Sequence, residues 1–113
     1  MSKVWVKGRV RAKDVKAFEA WSTELVEKIR TTDKGTLAFG VYPAGGGEYV
    51  FLEIYKDSEA ALSHLANVGE ILGRMGDLAD MTAPLEVYGD INDQLRETYA
   101  GWNAQVMKPF AAL

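Results

Sequence analysis

The sequence predicts a single domain of the α+β class. Its 113 residues suffice for one hydrophobic core but not for two. Apolar residues make up 48% and charged residues 26% of the chain, as in ordinary globular proteins. Segments with the two-residue period of strands alternate with segments that have the three- to four-residue period of helices. We expect one domain over residues 1–113, with a core in about 1–90 and a C-terminal helix and tail in 91–113.

The first two elements are predicted to be a strand and an amphipathic helix. Apolar side chains alternate with lysine and arginine over residues 4–10, as in a half-buried strand. Asp14 is suited to cap the helix that follows. We expect Gly35 to end this helix, because glycine adopts the left-handed conformation without a Cβ clash. The apolar stripe of the helix recurs at steps of three and four residues: Val15, Phe18, Trp21, Leu25 and Ile29.

A β-hairpin is predicted next. Residues 37–42 and 49–55 are rich in β-branched and aromatic side chains, and the proline and three glycines of residues 43–47 indicate a turn. The glycines join two strands and open no helix, so they do not predict a phosphate-binding loop. In the second strand of this hairpin, which is the third of the chain, the aliphatic side chains Val50, Leu52 and Ile54 share one face.

The remaining elements complete a familiar order. Asp57 or Ser58 begins a second helix that extends to about residue 68, and residues 70–81 also have a helical pattern. A short fourth strand is predicted over 85–88 and a last helix over 92–99. The order β-α-β-β-α-β is ferredoxin-like, with helices on one face of an antiparallel sheet. The aliphatic row would then lie exposed on the other face, so we expect a homodimer.

Composition excludes several classes of function. The formal charge of −3 is spread over both signs, so no nucleic-acid partner is expected. No apolar stretch is long enough to span a bilayer and the N-terminus lacks that of a signal peptide, so we expect a cytoplasmic protein without a membrane partner. With no cysteine and one histidine, the chain offers no zinc ligand set. We expect neither a metal nor another cofactor.

His64 and Glu53 are the candidates for catalysis. His64 is spaced from Ala61 and Val68 so that it lies on or beside the buried stripe of its helix, where an imidazole with a pKa of about 6.5 can accept a proton at neutral pH. A core histidine satisfied by one hydrogen bond is an equally open interpretation. Glu53 lies in an otherwise apolar strand and needs a partner, for which His64 is one candidate and a basic side chain or a helix N-terminus another.

Four side chains are candidates for binding a small hydrophobic or aromatic substrate. Tyr55 lies on the same face as Glu53 and could donate a hydrogen bond to a substrate oxygen, or pack in the core. Phe51 and Trp21 would form aromatic walls, although such residues are more often plain core. Arg74 would hold an anionic group if it turned inward, but a solvated arginine is the commoner outcome.

The middle of the chain resembles the antibiotic-biosynthesis monooxygenase family. The resemblance rests on Gly35 before the second strand, on Glu53 and Tyr55 two residues apart in the third, and on Ala60 or Ala61 and then His64 in the capped helix. It implies a dimeric α/β barrel with a hydrophobic pocket between sheet and helices. It also implies oxidation of phenols or quinols by dioxygen without metal, flavin or haem.

The resemblance suggests roles for three residues. His64 would take the substrate proton, Glu53 would orient the imidazole, and Tyr55, which replaces the family's usual tryptophan, would bind a substrate oxygen. Haem-degrading relatives of this fold have a histidine near the position of Arg74, so that ligand is missing here. Two alternatives remain open: a binding or structural dimer without turnover, and another base-catalysed enzyme of the isomerase or decomposition type.

Overall fold

A computed structural model describes residues 2–113 and contains a sheet flanked by helices. Asp14 and Asp57 accept hydrogen bonds from the first turns of the two long helices, as predicted. Of the helices in this described part, none has the length and apolar character to cross a membrane. The elements are β1 (Val4–Ala12), α1 (Val15–Thr32), β2 (Thr36–Gly45), β3 (Glu48–Tyr55), α2 (Ser58–Leu72), α3 (Met75–Leu78), β4 (Ala79–Met81), β5 (Glu86–Tyr88), α4 (Asp93–Ala100) and β6 (Gln105–Met107).

The sheet has the order β2-β3-β1-β5-β6 and is antiparallel except for the β5–β6 pair. The short strands β4 and β5 both pair with β1, on the side opposite to β3, so together they fill the position of the fourth strand. This arrangement confirms the predicted ferredoxin-like α+β fold. The C-terminal addition extends the sheet by one strand.

The two faces of the sheet differ sharply in burial. On the face toward α1 and α2, alternate residues of β1 and β3 are buried, among them Val6, Phe51 and Tyr55. Helix α1 packs its apolar stripe on the half of the core that contains Phe51. The opposite face presents the row of Val50, Leu52 and Ile54, which none of the helices in residues 2–113 covers. The predicted placement of this row is confirmed.

Gly35 has a different role from the one predicted. Helix α1 ends at Thr32, with Asp33 in an extended conformation as its C-cap, and Gly35 is not among the residues with positive φ. A Cβ built on Gly35 would lie 2.4 Å from the Cβ of Ala60 in α2. Glycine is required here because the start of α2 approaches the chain closely, and not because of a left-handed turn.

The segment predicted to be helical over residues 70–81 is only partly so. Helix α2 extends to Leu72, Gly73 is its C-cap, and a single turn of helix precedes strand β4. The backbone of β1 at Val10 to Ala12 would lack sheet partners on this side without β4. Pairing with β1 therefore overrides the local helical pattern. Strand β6, in the segment predicted to be a tail, was also missed.

Candidate active site

Helix α2 positions His64 in the interior of the domain. Its buried face includes Ala61, His64 and Val68, at the spacing of successive helical turns. His64 is 3% exposed, and its ring lies beside two aromatic side chains. The centroid of the His64 ring lies 5.0 Å from the ring centroid of Tyr55 and 5.6 Å from that of Phe39. The expected inward orientation of His64 is therefore observed.

The carboxylate that orients His64 belongs to Asp33 and not to Glu53. Nδ1 of His64 lies 2.7 Å from Oδ2 of Asp33, and both side chains are almost fully enclosed. Thr36 donates a hydrogen bond of 2.8 Å to the same oxygen, and Asn67 donates one of 2.9 Å to Oδ1. Asp33 is thus held by three side chains, with Thr36 from β2 and both His64 and Asn67 from α2. The predicted pairing of Glu53 with His64 is replaced by this His64–Asp33 pair.

Electrostatics fix the protonation of the pair. Burial acts to raise the pKa of Asp33, but hydrogen bonds from Asn67, His64 and Thr36 outweigh it and hold the pKa below its usual value. Burial lowers the pKa of His64, against the opposing effect of Asp33. At neutral pH the pair is therefore an ionised carboxylate beside a neutral imidazole. The proton on the ring belongs on Nδ1, facing the carboxylate, which leaves Nε2 as an acceptor.

Nε2 of His64 is the ring nitrogen that Asp33 does not contact. No group in residues 2–113 forms a hydrogen bond with it, and it is not among the fully enclosed polar atoms. His64 also lines a cavity between the sheet and the helices. A neutral, accessible ring nitrogen whose opposite nitrogen is held by a carboxylate is suited to take up a proton.

Glu53 lies in the same cavity and has a partner of its own. The hydroxyl group of Tyr55 donates a hydrogen bond of 2.5 Å to Oε1 of Glu53. Burial raises the pKa of Glu53 to about 7, although the bond from Tyr55 acts in the opposite direction. A substantial fraction of Glu53 is therefore protonated at neutral pH, when the carboxylic acid can donate a hydrogen bond. The sequence indicated a buried carboxylate here but not this partner.

The cavity that joins these groups has a volume of about 470 Å³ and a mainly apolar wall. Its polar side chains come from β3, α2 and α4. A volume of this size accommodates a small organic molecule. The lining residues are Val6, Gly8, Val10, Phe39, Phe51, Glu53, His64, Leu65, Gly69, Leu72, Gly73, Met75, Met81, Leu85, Tyr99 and Trp102.

The four predicted substrate-binding residues separate into two groups. Phe51 lines the cavity, as expected of a binding residue. Tyr55 is completely buried beneath it, and its hydroxyl group is engaged by Glu53. Trp21 is enclosed in the core, where its Nε1 donates a hydrogen bond of 2.8 Å to the carbonyl of Ile71. Arg74 is half-exposed and forms an ion pair of 2.6 Å with Glu24. These three side chains do not reach the cavity.

Two functional candidates were missed by sequence reasoning. Asp33 directly follows helix α1, and no local pattern indicates that it meets a side chain 31 residues later. Tyr99 is buried on α4 and lines the cavity. Its spacing of four residues from Leu95, which is also buried, was a readable signal for an inward face. Among residues 2–113, no group of three or more acidic or histidine side chains could hold a metal ion.

Comparison with known proteins identifies the family. The family model described as antibiotic biosynthesis monooxygenase matches residues 1–69. A search of curated proteins gives no match. Among solved structures, MupZ from Pseudomonas fluorescens is 23% identical, with a TM-score of 0.86, over 98% of this chain and 88% of that chain.

Two further solved structures share the core of the fold. SnoaB, a cofactor-independent oxygenase from Streptomyces nogalater, is 16% identical, with a TM-score of 0.64, over 75% of this chain and 91% of that chain. Rv0793 from Mycobacterium tuberculosis is 27% identical, with a TM-score of 0.61, over 75% of this chain and 89% of that chain. The family match extends over more than half of the sequence and includes His64, Glu53 and Asp33. The chain belongs to the antibiotic biosynthesis monooxygenase family.

Proposed function

We propose that the protein is a cofactor-independent monooxygenase that oxidises a small phenolic or quinol-type substrate with dioxygen. The observation that carries this proposal is the neutral His64, held on Asp33 through Nδ1 and accessible from the cavity. Membership of the family supports an oxygenase. The apolar wall of the cavity supports a hydrophobic substrate.

The first step is removal of a proton from the substrate by Nε2 of His64. A phenol reacts slowly with dioxygen, whereas its anion is electron-rich. Asp33 stabilises the imidazolium that forms, because its carboxylate is already ionised and lies 2.7 Å from Nδ1. Exclusion of water by the apolar wall keeps the anion reactive toward dioxygen.

The oxidation needs no external reductant. A ring carbon of the substrate loses its hydrogen and gains one oxygen atom as a carbonyl group, and the phenolic hydroxyl loses its hydrogen and becomes the other carbonyl group of a quinone. These two hydrogens leave with the second oxygen atom as water. The substrate therefore supplies both electrons that the second oxygen atom requires. In its protonated form Glu53 donates a hydrogen bond to an oxygen of the substrate, a role that its raised pKa supports.

A second candidate function uses the same groups without oxygen. Glu53, with a pKa of about 7, and His64, which is neutral, line one cavity as an acid and a base. Such a pair suits an isomerase or a decomposition enzyme that moves protons on an apolar substrate. The raised pKa of Glu53 is the observation that favours this candidate.

Turnover of a panel of phenols and quinols with and without oxygen separates the candidates. The proposed monooxygenase consumes one dioxygen per product and is inactive under argon. If product forms equally fast under argon, the proposed monooxygenase activity is wrong and the isomerase or decomposition activity is favoured. Binding of the panel without any turnover, in air or under argon, would instead indicate a binding protein.

We propose that the protein acts as a homodimer. The outer sheet face exposes large apolar side chains, including Trp5, Tyr42 and Leu52. An exposed patch of this kind on a small domain favours a partner subunit. Pairing of two such faces would give the barrel that the family resemblance implies.

A further inference from the structure

The C-terminal addition to the fold delivers a tyrosine into the cavity. Helix α4 begins at the N-cap Asn92 and buries Leu95 and Tyr99 against the rest of the domain. After it, β6 pairs with β5, and Gln105 N–H donates to the carbonyl of Leu85. Tyr99 is therefore fixed by an element that lies beyond the residues matched by the family model.

The hydroxyl group of Tyr99 has no partner in the described chain. Tyr99 is 2% exposed, and no group in residues 2–113 forms a hydrogen bond with its oxygen. Within the same residues, the only fully enclosed side-chain polar atom without a partner is Oγ of Ser22, so the Tyr99 oxygen retains accessible surface. Tyr99 also lines the cavity, together with Glu53 and His64. Buried tyrosine hydroxyls usually have a hydrogen-bond partner.

Tyr99 is also close enough to Glu53 for the charge of Glu53 to affect the pKa of Tyr99. Burial raises the pKa of Tyr99, and the carboxylate of Glu53 raises it further. The phenol therefore keeps its proton at neutral pH and acts as a donor. Together with Glu53 and His64 it makes one part of an otherwise apolar cavity polar.

We infer that Tyr99 is a substrate-binding residue whose hydroxyl group donates a hydrogen bond to an oxygen atom of an otherwise apolar substrate. The inference rests on the proposed function only in taking this cavity as the substrate site. Tyr99 selects for a carbonyl or hydroxyl oxygen at the polar end of the ligand, and the aromatic and aliphatic wall holds the rest. Substrate selection thereby depends on the C-terminal addition.

A matched pair of probes tests this inference without the natural substrate. The probes are 1-tetralone and tetralin, which share a carbon skeleton and differ in one carbonyl group. NMR titration of the isotope-labelled protein gives both dissociation constants. We expect the wild-type protein to bind tetralone about tenfold more tightly than tetralin, the scale of one net hydrogen bond. Tyr99→Phe should remove most of this preference by weakening only the binding of tetralone.

Tyr49→Phe is the control, because Tyr49 is also buried but donates its hydroxyl to Glu19, away from the cavity lining. It should keep the wild-type preference. Tyr99→Phe should unfold at no lower temperature than the wild-type protein, since the lost hydroxyl has no partner among residues 2–113. An unchanged preference in Tyr99→Phe, no preference or no binding in the wild-type protein, or a clear loss of stability would each overturn the inference. Oxygen consumption does not enter this test, so the proposed oxidation can fail while the inference holds.

Discussion

At position 64, two opposing effects set the behaviour of the imidazole. Burial keeps the ring neutral, so it is free to accept a proton at neutral pH. The ionised carboxylate of Asp33 stabilises the cation once the proton has been accepted. Burial alone would give a weak base, and the carboxylate alone would give a ring that is already protonated. The combination gives a base that is both available and effective.

Replacement of Asp33 by asparagine tests this balance. The hydrogen bond and charge of Asp33 raise the pKa of His64, so we expect Asp33→Asn to lower that pKa further. We also expect turnover to fall by about a hundredfold or more, the scale of a positioned proton acceptor. NMR titration of the imidazole measures the first effect independently of activity. Asp93→Asn is the control, because Asp93 pairs on the surface with Arg96. An equal or higher pKa of His64 in Asp33→Asn would contradict the account.

Glu53 predicts a pH dependence of stability with a definite sign. Its pKa is about 7 in the folded protein and lies near 4.5 in the unfolded chain. Between about pH 4.5 and pH 7 the folded state therefore binds more protons than the unfolded chain. The stability that protonated Glu53 contributes is complete below this range and is lost as the pH rises through about 7. Glutamine mimics the neutral form. Glu53→Gln should be more stable than the wild-type protein at pH 8, by on the order of 3 kcal/mol, and similar to it at pH 4.

Thermal unfolding of both proteins at the two pH values measures this difference. His64 titrates in both proteins, so its effect cancels in the comparison. A Glu53→Gln variant that is less stable than the wild-type protein at pH 8 would show that Glu53 is ionised and usefully paired in the fold.

At the residue scale, the sequence predicted which side chains point inward but not which ones meet. The apolar neighbours of Glu53 and the helical position of His64 were enough to place both in the interior. Their partners depend on tertiary contacts. Asp33 reaches His64 only because α1 ends beside α2. The spacing of these residues in the sequence does not predict that contact.

The junction of α1, β2 and α2 depends on the close approach at Gly35. Adding a methyl group there would bring it within 2.4 Å of Ala60, a distance that forces the backbone to move. We expect Gly35→Ala to lower the free energy of unfolding by about 1–3 kcal/mol, as overpacking usually does. Chemical denaturation measures the change.

Gly69→Ala is the matched control for Gly35→Ala. Gly69 lies inside α2, and a Cβ there would have no neighbour within 4 Å. Alanine is the better helix former by about 1 kcal/mol, so this variant should be at least as stable as the wild-type protein. If Gly35→Ala were equally stable, the close approach would not matter to the fold.

At the scale of elements, predictions based on N-terminal caps and on the hairpin were right, and those that depended on a distant partner were not. Asp14 and Asp57 cap their helices through bonds to residues three positions on, which the local sequence determines. Strands β4 and β6 have three residues each and exist because β1 and β5 offer unpaired backbone groups. Strand β5 is equally short but was predicted, whereas the local sequence around β4 and β6 indicated a helix and a tail.

At the scale of the molecule, the exposed apolar side chains of the outer sheet face are the main feature that the fold of a single chain does not explain. Leu52 is 46% exposed at the centre of this face, so a charge there disturbs the single subunit little. In a dimer the same charge would be buried without a partner. We expect Leu52→Asp to be folded and monomeric, and we expect light scattering to give the wild-type protein the mass of a dimer.

Val15→Asp is the control for Leu52→Asp, because Val15 is similarly exposed but lies at the start of α1, on the helical side. It should remain dimeric. A wild-type protein that is monomeric at micromolar concentration, or a Leu52→Asp variant that is still a dimer, would show that this face is not the interface.

The central claim is that His64 is the base for oxidation, and its replacement by alanine tests that claim most directly. Oxygen uptake with a quinol that the wild-type protein oxidises and thermal unfolding are measured on the same samples. We expect His64→Ala to lose about a hundredfold or more in rate. It should lose only about 1–2 kcal/mol in stability, because Asp33 keeps its bonds to Asn67 and Thr36. A variant that unfolds much earlier while its folded fraction keeps the full rate would contradict the account.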